Sequence, residues 1–179
     1  MKKFLAFILL LLSLVPASYA ALDVGDAAPN FTAQAALNGK VFDFTLADSL
    51  AKGPVVLYFF PAAFSVGCSI EAHEFAEAIN RFEALGATVI GVSSDDIDTL
   101  GKFSVQACAG KFPVASDNAQ NVMKSYDAVM QTRPDYANRV SYVIAPNGKV
   151  IYNYQSLNPS RHVEKTLAAL KDWSQTKSK

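Results

Sequence analysis

The chain has 179 residues, 51% of them hydrophobic. That is enough for one domain with a substantial core that needs no disulfide staples. Sixteen basic side chains balance sixteen acidic ones, which excludes a basic nucleic-acid surface and an electrostatic membrane anchor.

The chain opens Met1-Lys2-Lys3, runs apolar from Phe4 to Val15, and continues Pro16-Ala17-Ser18-Tyr19-Ala20. Two lysines, a short apolar stretch and small residues at Ser18 and Ala20 have the pattern of a secretory signal peptide. The apolar stretch falls short of the roughly 20 residues needed to span a bilayer, which weighs against an uncleaved anchor. Residues 1–20 are therefore expected to be a leader and residues 21–179 the mature domain. Without Lys2 and Lys3, 14 basic side chains face 16 acidic ones, a net charge of −2. An exported product is expected, in the bacterial periplasm, with no membrane attachment after cleavage.

Residues 31–44 form a predicted hairpin with Asn38-Gly39 as its turn. Residues 55–60 are an unbroken apolar run, the pattern of a central strand covered on both faces. A helix follows, with Phe75, Ile79 and Phe82 on one face and Gly86 as its stop. Residues 87–92 are a second buried strand. Asp95 or Asp96 caps a helix carrying Ile97, Leu100, Ser104 and Cys108, which ends near Gly110. A short strand at 114–116 and a short helix at 119–126 come next. Residues 140–145 and 149–154 flank Pro146-Asn147-Gly148 as a hairpin. The last helix has Asn158 as N-cap, Pro159 at its first position and Val163, Leu167 and Leu170 as its apolar stripe. Strand–helix alternation followed by a hairpin predicts an α/β fold with a mixed sheet between layers of helix.

The most informative stretch joins the first buried strand to its helix. Pro61 ends the apolar run, Ser65 supplies a hydroxyl, and Cys68 stands where the helical pattern begins. A thiol in a first helical turn faces unpaired backbone amides and the positive end of the helix dipole, and both favour its ionised form. An isolated thiol is only a few per cent thiolate at neutral pH, so such a site is what a nucleophilic cysteine needs. Two cysteines in an exported chain leave a second reading open, a purely structural Cys68–Cys108 bridge.

Pro61, Ser65 and Cys68 match the peroxiredoxin signature of proline, hydroxyl residue and peroxidatic cysteine at fixed spacing. The Tyr58-Phe59-Phe60-Pro61 lead-in and Gly67-Cys68-Ser69-Ile70-Glu71 resemble the peroxiredoxin Q (bacterioferritin-comigratory) branch. Ser65 and Ser69 replace threonines, Val66 replaces a proline, and His73 stands where many members carry a resolving cysteine. The resemblance covers essentially the whole mature chain. It implies a thioredoxin-like fold with an N-terminal β-hairpin extension, and a thiol peroxidase with no metal or organic cofactor. It also implies catalytic roles for Cys68, Ser65, Pro61 and an arginine heading a late strand. Arg139 occupies that place; Arg133, in a loop before Pro134, is its rival. Ser65 is expected to bond the sulfur and the incoming peroxide, Pro61 to shape the loop, and Glu71 to serve the dipole of the helix start.

With His73 at the five-residue position, the resemblance points to Cys108 as resolving cysteine, on the helix that carries Ile97. The bland alternative for Cys108 is a small buried hydrophobe. A disulfide needs Cα atoms roughly 4.4–6.8 Å apart, which two packed helices seldom offer, so a redox-active Cys68–Cys108 bond implies local unfolding of both helix ends. The expected partners are a peroxide and an external thioredoxin-like or glutaredoxin-like dithiol protein, with the chain a monomer or weak homodimer. Two other functions are weighed. A thiol–disulfide oxidoreductase of this fold wants Cys-x-x-Cys, but Ser65 occupies the first position. A copper-binding assembly module wants a second cysteine where Ala72 stands, and His73 and His162 are isolated in the sequence.

Overall fold

The structure is a computed structural model that describes residues 21–177. The expected leader, residues 1–20, lies outside the described residues.

Strands β1 (Thr32–Leu37) and β2 (Lys40–Thr45) form the first hairpin. Its turn puts both Asn38 (φ 49°) and Gly39 (φ 76°) in the left-handed region, as a two-residue hairpin turn requires. Helix α1 (Leu46–Leu50) was not anticipated; five residues are too few to display a period, and Leu46 and Leu50 bury one turn apart. Strand β3 (Val55–Phe59) is buried along its whole length. Helix α2 (Val66–Glu83), strand β4 (Thr88–Ser93) and helix α3 (Ile97–Gln106) follow, then β5 (Val114–Ser116) and α4 (Asn121–Ser125). Strands β6 (Val140–Ile144) and β7 (Val150–Gln155) make the second hairpin. Asn158 accepts from the Ser160 amide as expected, but Pro159 opens a 3-10 turn, and the helix proper, α5 (His162–Lys177), begins at His162.

One seven-stranded sheet results, in the order β2-β1-β5-β4-β3-β6-β7. Strands β3, β4 and β5 run parallel, while β6 pairs antiparallel to β3, so the sheet is mixed. The first hairpin joins the same sheet as its edge, through β1 against β5. Side chains alternate along β3. Val56 and Tyr58 enter a core shared with Phe75, Phe82, Phe103 and Leu167 of α2, α3 and α5. Val55, Leu57 and Phe59 enter the opposite core, with Leu46, Leu50, Met123 and Tyr126. Both faces are covered, and for that reason β3 carries no polar residue facing solvent.

Cys108 departs from expectation. Helix α3 ends at Gln106, and Ala107 is its C-cap. Ala109 (φ 50°) and Gly110 (φ 68°) turn the chain left-handed, and the Gly110 amide closes on the Ser104 carbonyl at 2.8 Å. Cys108 therefore lies in the terminating turn. It stays buried there, so the apolar period outlasts the helix that began it.

Candidate active site

The C-terminal end of β3 delivers the chain into a loop, residues 60–65, and then into α2. Two anchors hold this loop against β4: the Phe60 amide donates to the Val92 carbonyl (3.0 Å), and the Ala63 amide donates to Asp95 Oδ2 (2.7 Å). Asp95 also accepts from the Ser93 hydroxyl (2.8 Å), while Asp96 is the N-cap of α3. Phe64 adopts φ 62°, an uncommon conformation for a bulky side chain, and sets its ring edge-on to Phe103 at 5.3 Å.

Helix α2 starts at Val66, two residues before the thiol, with Ser65 as its N-cap in extended conformation. Cys68 thus sits inside the first turn, where backbone N–H groups have no intrahelical acceptor. Its side chain is 1% exposed. Arg139 Nη2 donates to Cys68 Sγ at 3.2 Å. Gly67 leaves room for this approach: a Cβ at that position would stand 3.2 Å from the same Nη2 and push it back by a few tenths of an ångström. Sequence placed Arg139 at the head of β6, and the structure brings it onto the sulfur. Arg133 is exposed in its loop, with its guanidinium 4.0 Å over the Tyr136 ring.

Other expected contacts are arranged differently. The Ser65 hydroxyl donates to the Ala62 carbonyl (3.0 Å) and not to the sulfur, because its N-cap conformation turns it back onto its own loop. Pro61 is half-buried at the loop's start. Glu71 is no exposed dipole partner: it is fully buried one turn after Cys68 and pairs through Oε2 with Arg139 Nη1. The sequence offered no signal for this, since a carboxylate early in a helix is ordinarily solvated. Burial raises the Glu71 carboxyl from 4.5 to about 8, against the opposing pull of Arg139. Burial presses the Arg139 guanidinium the other way, but Glu71 and Cys68 beside it outweigh that and hold it above its ordinary value.

His162 closes the cluster from α5. It is fully buried, with Nε2 3.0 Å from the Ser156 carbonyl and Nδ1 2.8 Å from Ser141 Oγ. Glu71 Oε1 lies 3.6 Å from the same Nδ1. Burial lowers the His162 imidazole from 6.5 to about 4, and Arg139 adds to that. His73, by contrast, is exposed. Among the described residues no group of three or more His, Cys, Asp or Glu side chains could hold a metal ion.

Both cysteines are free thiols. Cys108 is fully buried in the same core as Cys68, and burial alone pushes its thiol well above the ordinary range. The stacked Phe60–Phe103 pair (5.4 Å) and the Phe64–Phe103 contact tie the Cys68 loop to α3.

The family model described as AhpC/TSA matches residues 24–153. Peroxiredoxin Q from Arabidopsis thaliana, named as chloroplastic, is 36% identical over 86% of this chain and 69% of its own length. The chloroplastic protein of that name from Populus jackii is 33% identical, over 85% and 70%. That from Oryza sativa subsp. japonica is 34% identical over 82% of this chain, which spans only 65% of the rice protein's length. Among solved structures, a cysteine-to-serine variant of PrxQ from Xylella fastidiosa superposes with a TM-score of 0.77 at 25% identity, covering 87% of this chain and 99% of that one. Peroxidoxin BcpB from Mycobacterium tuberculosis gives 0.75 at 27% identity, over 83% and 96%.

Proposed function

This chain belongs to the AhpC/TSA family, in its peroxiredoxin Q branch, and from that membership we propose that it is a thiol peroxidase reducing hydrogen peroxide and organic hydroperoxides through Cys68. The observation that carries the proposal is the Arg139 guanidinium on the Cys68 sulfur at the first turn of α2.

In the first half-reaction the Cys68 thiolate attacks one peroxide oxygen. The O–O bond breaks, water or an alcohol leaves, and Cys68 becomes a sulfenic acid. Arg139 and the first-turn amides meet the charge that develops on the two oxygens. Ser65, on the same loop, turns its hydroxyl from Ala62 toward the incoming peroxide, and Pro61 limits water at the loop's start. The protein's own groups suffice for this step.

In the second half-reaction Cys108 condenses with the sulfenic acid, releasing water and forming a Cys68–Cys108 disulfide. Both thiols are buried, so the loop at 60–65 and the turn at 107–110 open together, breaking the Phe60–Phe103–Phe64 cluster. An external thioredoxin-like or glutaredoxin-like dithiol then restores both thiols. Residues 1–20 act as an export signal and place the mature domain, 21–179, in a bacterial periplasm as a monomer or weak homodimer.

The test follows peroxide loss with dithiothreitol as reductant for wild type and Cys68→Ser. Turnover that vanishes in the variant is expected. Equal turnover in both would overturn the assignment. Disulfide reduction in an insulin assay without peroxide loss would mark an oxidoreductase instead.

A further inference from the structure

Among the described residues three buried side-chain polar atoms lack a hydrogen-bond partner: the Tyr58 hydroxyl, Arg139 Nε and Glu71 Oε1. Glu71 faces Arg139 through Oε2, while Oε1 has no hydrogen-bond partner although the residue is fully buried. A buried, unpaired carboxylate oxygen is costly. His162 Nδ1 stands 3.6 Å from Oε1, beyond hydrogen-bond reach. Nε2 of that ring meets the Ser156 carbonyl, which can only accept, so Nε2 carries the ring proton and the Nδ1 lone pair accepts from the Ser141 hydroxyl at 2.8 Å. Oε1 therefore faces no hydrogen-bond donor in a fully buried site, an arrangement that favours the neutral, protonated carboxyl over the anion.

Charge balance gives the same answer. Cys68 and Glu71 share one guanidinium, Nη2 on the sulfur and Nη1 on the carboxyl. The titratable groups facing Glu71 are Cys68 and Glu74 from α2, Tyr58 from β3, Arg139 from β6 and His162 from α5. Arg139 is the single cation among them, since His162 is held neutral. Two buried anions on one cation leave an uncompensated charge; one anion leaves none.

We propose that Glu71 is an exchangeable counter-ion for Arg139: it holds a proton while Cys68 is a thiolate and releases it when Cys68 is oxidised. This rests on Cys68 being the peroxidatic thiolate. Before the reaction the cluster is thiolate, guanidinium and carboxylic acid, and it is neutral. Sulfur gives two electrons to the O–O bond and gains oxygen; the leaving alkoxide takes up one proton, and Glu71 releases one. Afterwards the cluster is sulfenic acid, guanidinium and carboxylate, neutral again. Arg139 keeps one anion throughout, so its own charge and position need not change as the sulfur cycles. When an external dithiol regenerates the thiolate, Glu71 takes its proton back. His162, with both ring nitrogens engaged by Ser141 and Ser156, stays neutral beside Oε1 and supplies it no second cation.

Infrared difference spectroscopy on the whole protein at pH 7 tests this, with hydrogen peroxide as probe and glutamate 13C-labelled at its side-chain carboxyl. Glu71 is the one buried glutamate among the described residues, so a protonated-carboxyl band moved by the label belongs to it. The reduced protein is expected to show that band and the oxidised protein to lose it. Reduced Cys68→Ser, with no thiolate to satisfy Arg139, is expected to lack the band before any peroxide is added. A band that persists through oxidation, or that is absent from reduced wild type, overturns the proposal. Dimedone trapping on the same samples separates the two readings. No sulfenic acid at Cys68 defeats the peroxidase assignment, whereas a trapped sulfenic acid with an unchanged carboxyl band defeats only the counter-ion exchange.

Discussion

Cys68 and Cys108 are buried to nearly the same degree, 1% and 0% exposed, but their surroundings have opposite character. Cys68 lies at the start of a helix with a guanidinium on its sulfur and a carboxyl behind that guanidinium. Cys108 lies just past the end of a helix, in apolar company, and nothing there offsets the burial that keeps it protonated. Burial alone therefore says little about what a thiol does. In the proposed mechanism, position along the helix dipole and one cation separate a nucleophile from a reserve, and the reserve gains reactivity only when the structure around it opens.

Exchanging each cysteine for serine should split the reaction in two. Cys68→Ser is expected to abolish peroxide consumption completely. Cys108→Ser should keep the first rapid reaction with one equivalent of peroxide but lose turnover driven by a protein dithiol. Stopped-flow measurement of peroxide loss reads both. A Cys108→Ser variant with unimpaired turnover would return Cys108 to the role of a small buried hydrophobe.

Removing the cation should make the first site resemble the second. Arg139→Ala is expected to lower the rate constant with hydrogen peroxide roughly 10²–10³-fold, the usual cost of losing one preorganised donor to developing charge. Arg139→Lys should recover only part of this, because one ammonium cannot meet sulfur and carboxyl together as the fork does. A rate unchanged in Arg139→Ala would mean that the first-turn amides suffice.

The buried pair behind Arg139 should also leave a trace in stability. Above pH 6.5 His162 is neutral folded or unfolded, because its folded value of about 4 lies below the unfolded one. Glu71 keeps a proton up to about pH 8 when folded but loses it near 4.5 when unfolded. In the proposed cluster Cys68 is a thiolate when folded and regains a proton when unfolded, so from pH 6.5 to 8 the proton held at Glu71 offsets the one given up at Cys68 and wild-type stability stays nearly level. Urea unfolding across that range should show little change in wild type and, in Glu71→Gln, where only the Cys68 contribution remains, a rise with pH of roughly 1–2 kcal/mol. The same pH dependence in both would remove Glu71 from this balance.

The smallest effect concerns how tightly Cys108 is held. The Ser104 hydroxyl donates to the Gly101 carbonyl (2.8 Å) and accepts from the Gly39 amide (2.9 Å), fastening the first hairpin's turn to the end of α3. Ser104→Ala is expected to cost about 1 kcal/mol and to speed amide exchange over residues 107–111. Unchanged exchange there would show that the hairpin does not brace the turn.

Much of this was legible in sequence because local patterns carried it. The apolar run at 55–60, the Asn38-Gly39 turn and the Asn158-Pro159 start each express a local backbone preference. The spacing of Pro61, Ser65 and Cys68 marked the candidate site, and likeness to a known family pointed to Arg139, whose guanidinium lies on the Cys68 sulfur. What sequence hid were contacts between distant segments that reverse ordinary expectations. Glu71 is charged by residue type but buried beside an arginine 68 positions away. His162 looked isolated because its partners, Ser141 and Ser156, come from a strand and a loop whose approach depends on the whole sheet. The end of α3 was overrun because burial continues past it to Cys108, and the Ser65 hydroxyl was misplaced because capping geometry decides its direction.

The most direct measurement is peptide mass spectrometry of the reduced protein after one equivalent of hydrogen peroxide, with and without dimedone. With the trap, the adduct should fall on Cys68 alone; without it, Cys68 and Cys108 should be joined. Dimedone on Cys108 first, or both thiols unmodified while peroxide persists, would contradict the assignment of the nucleophile to the sulfur that Arg139 holds.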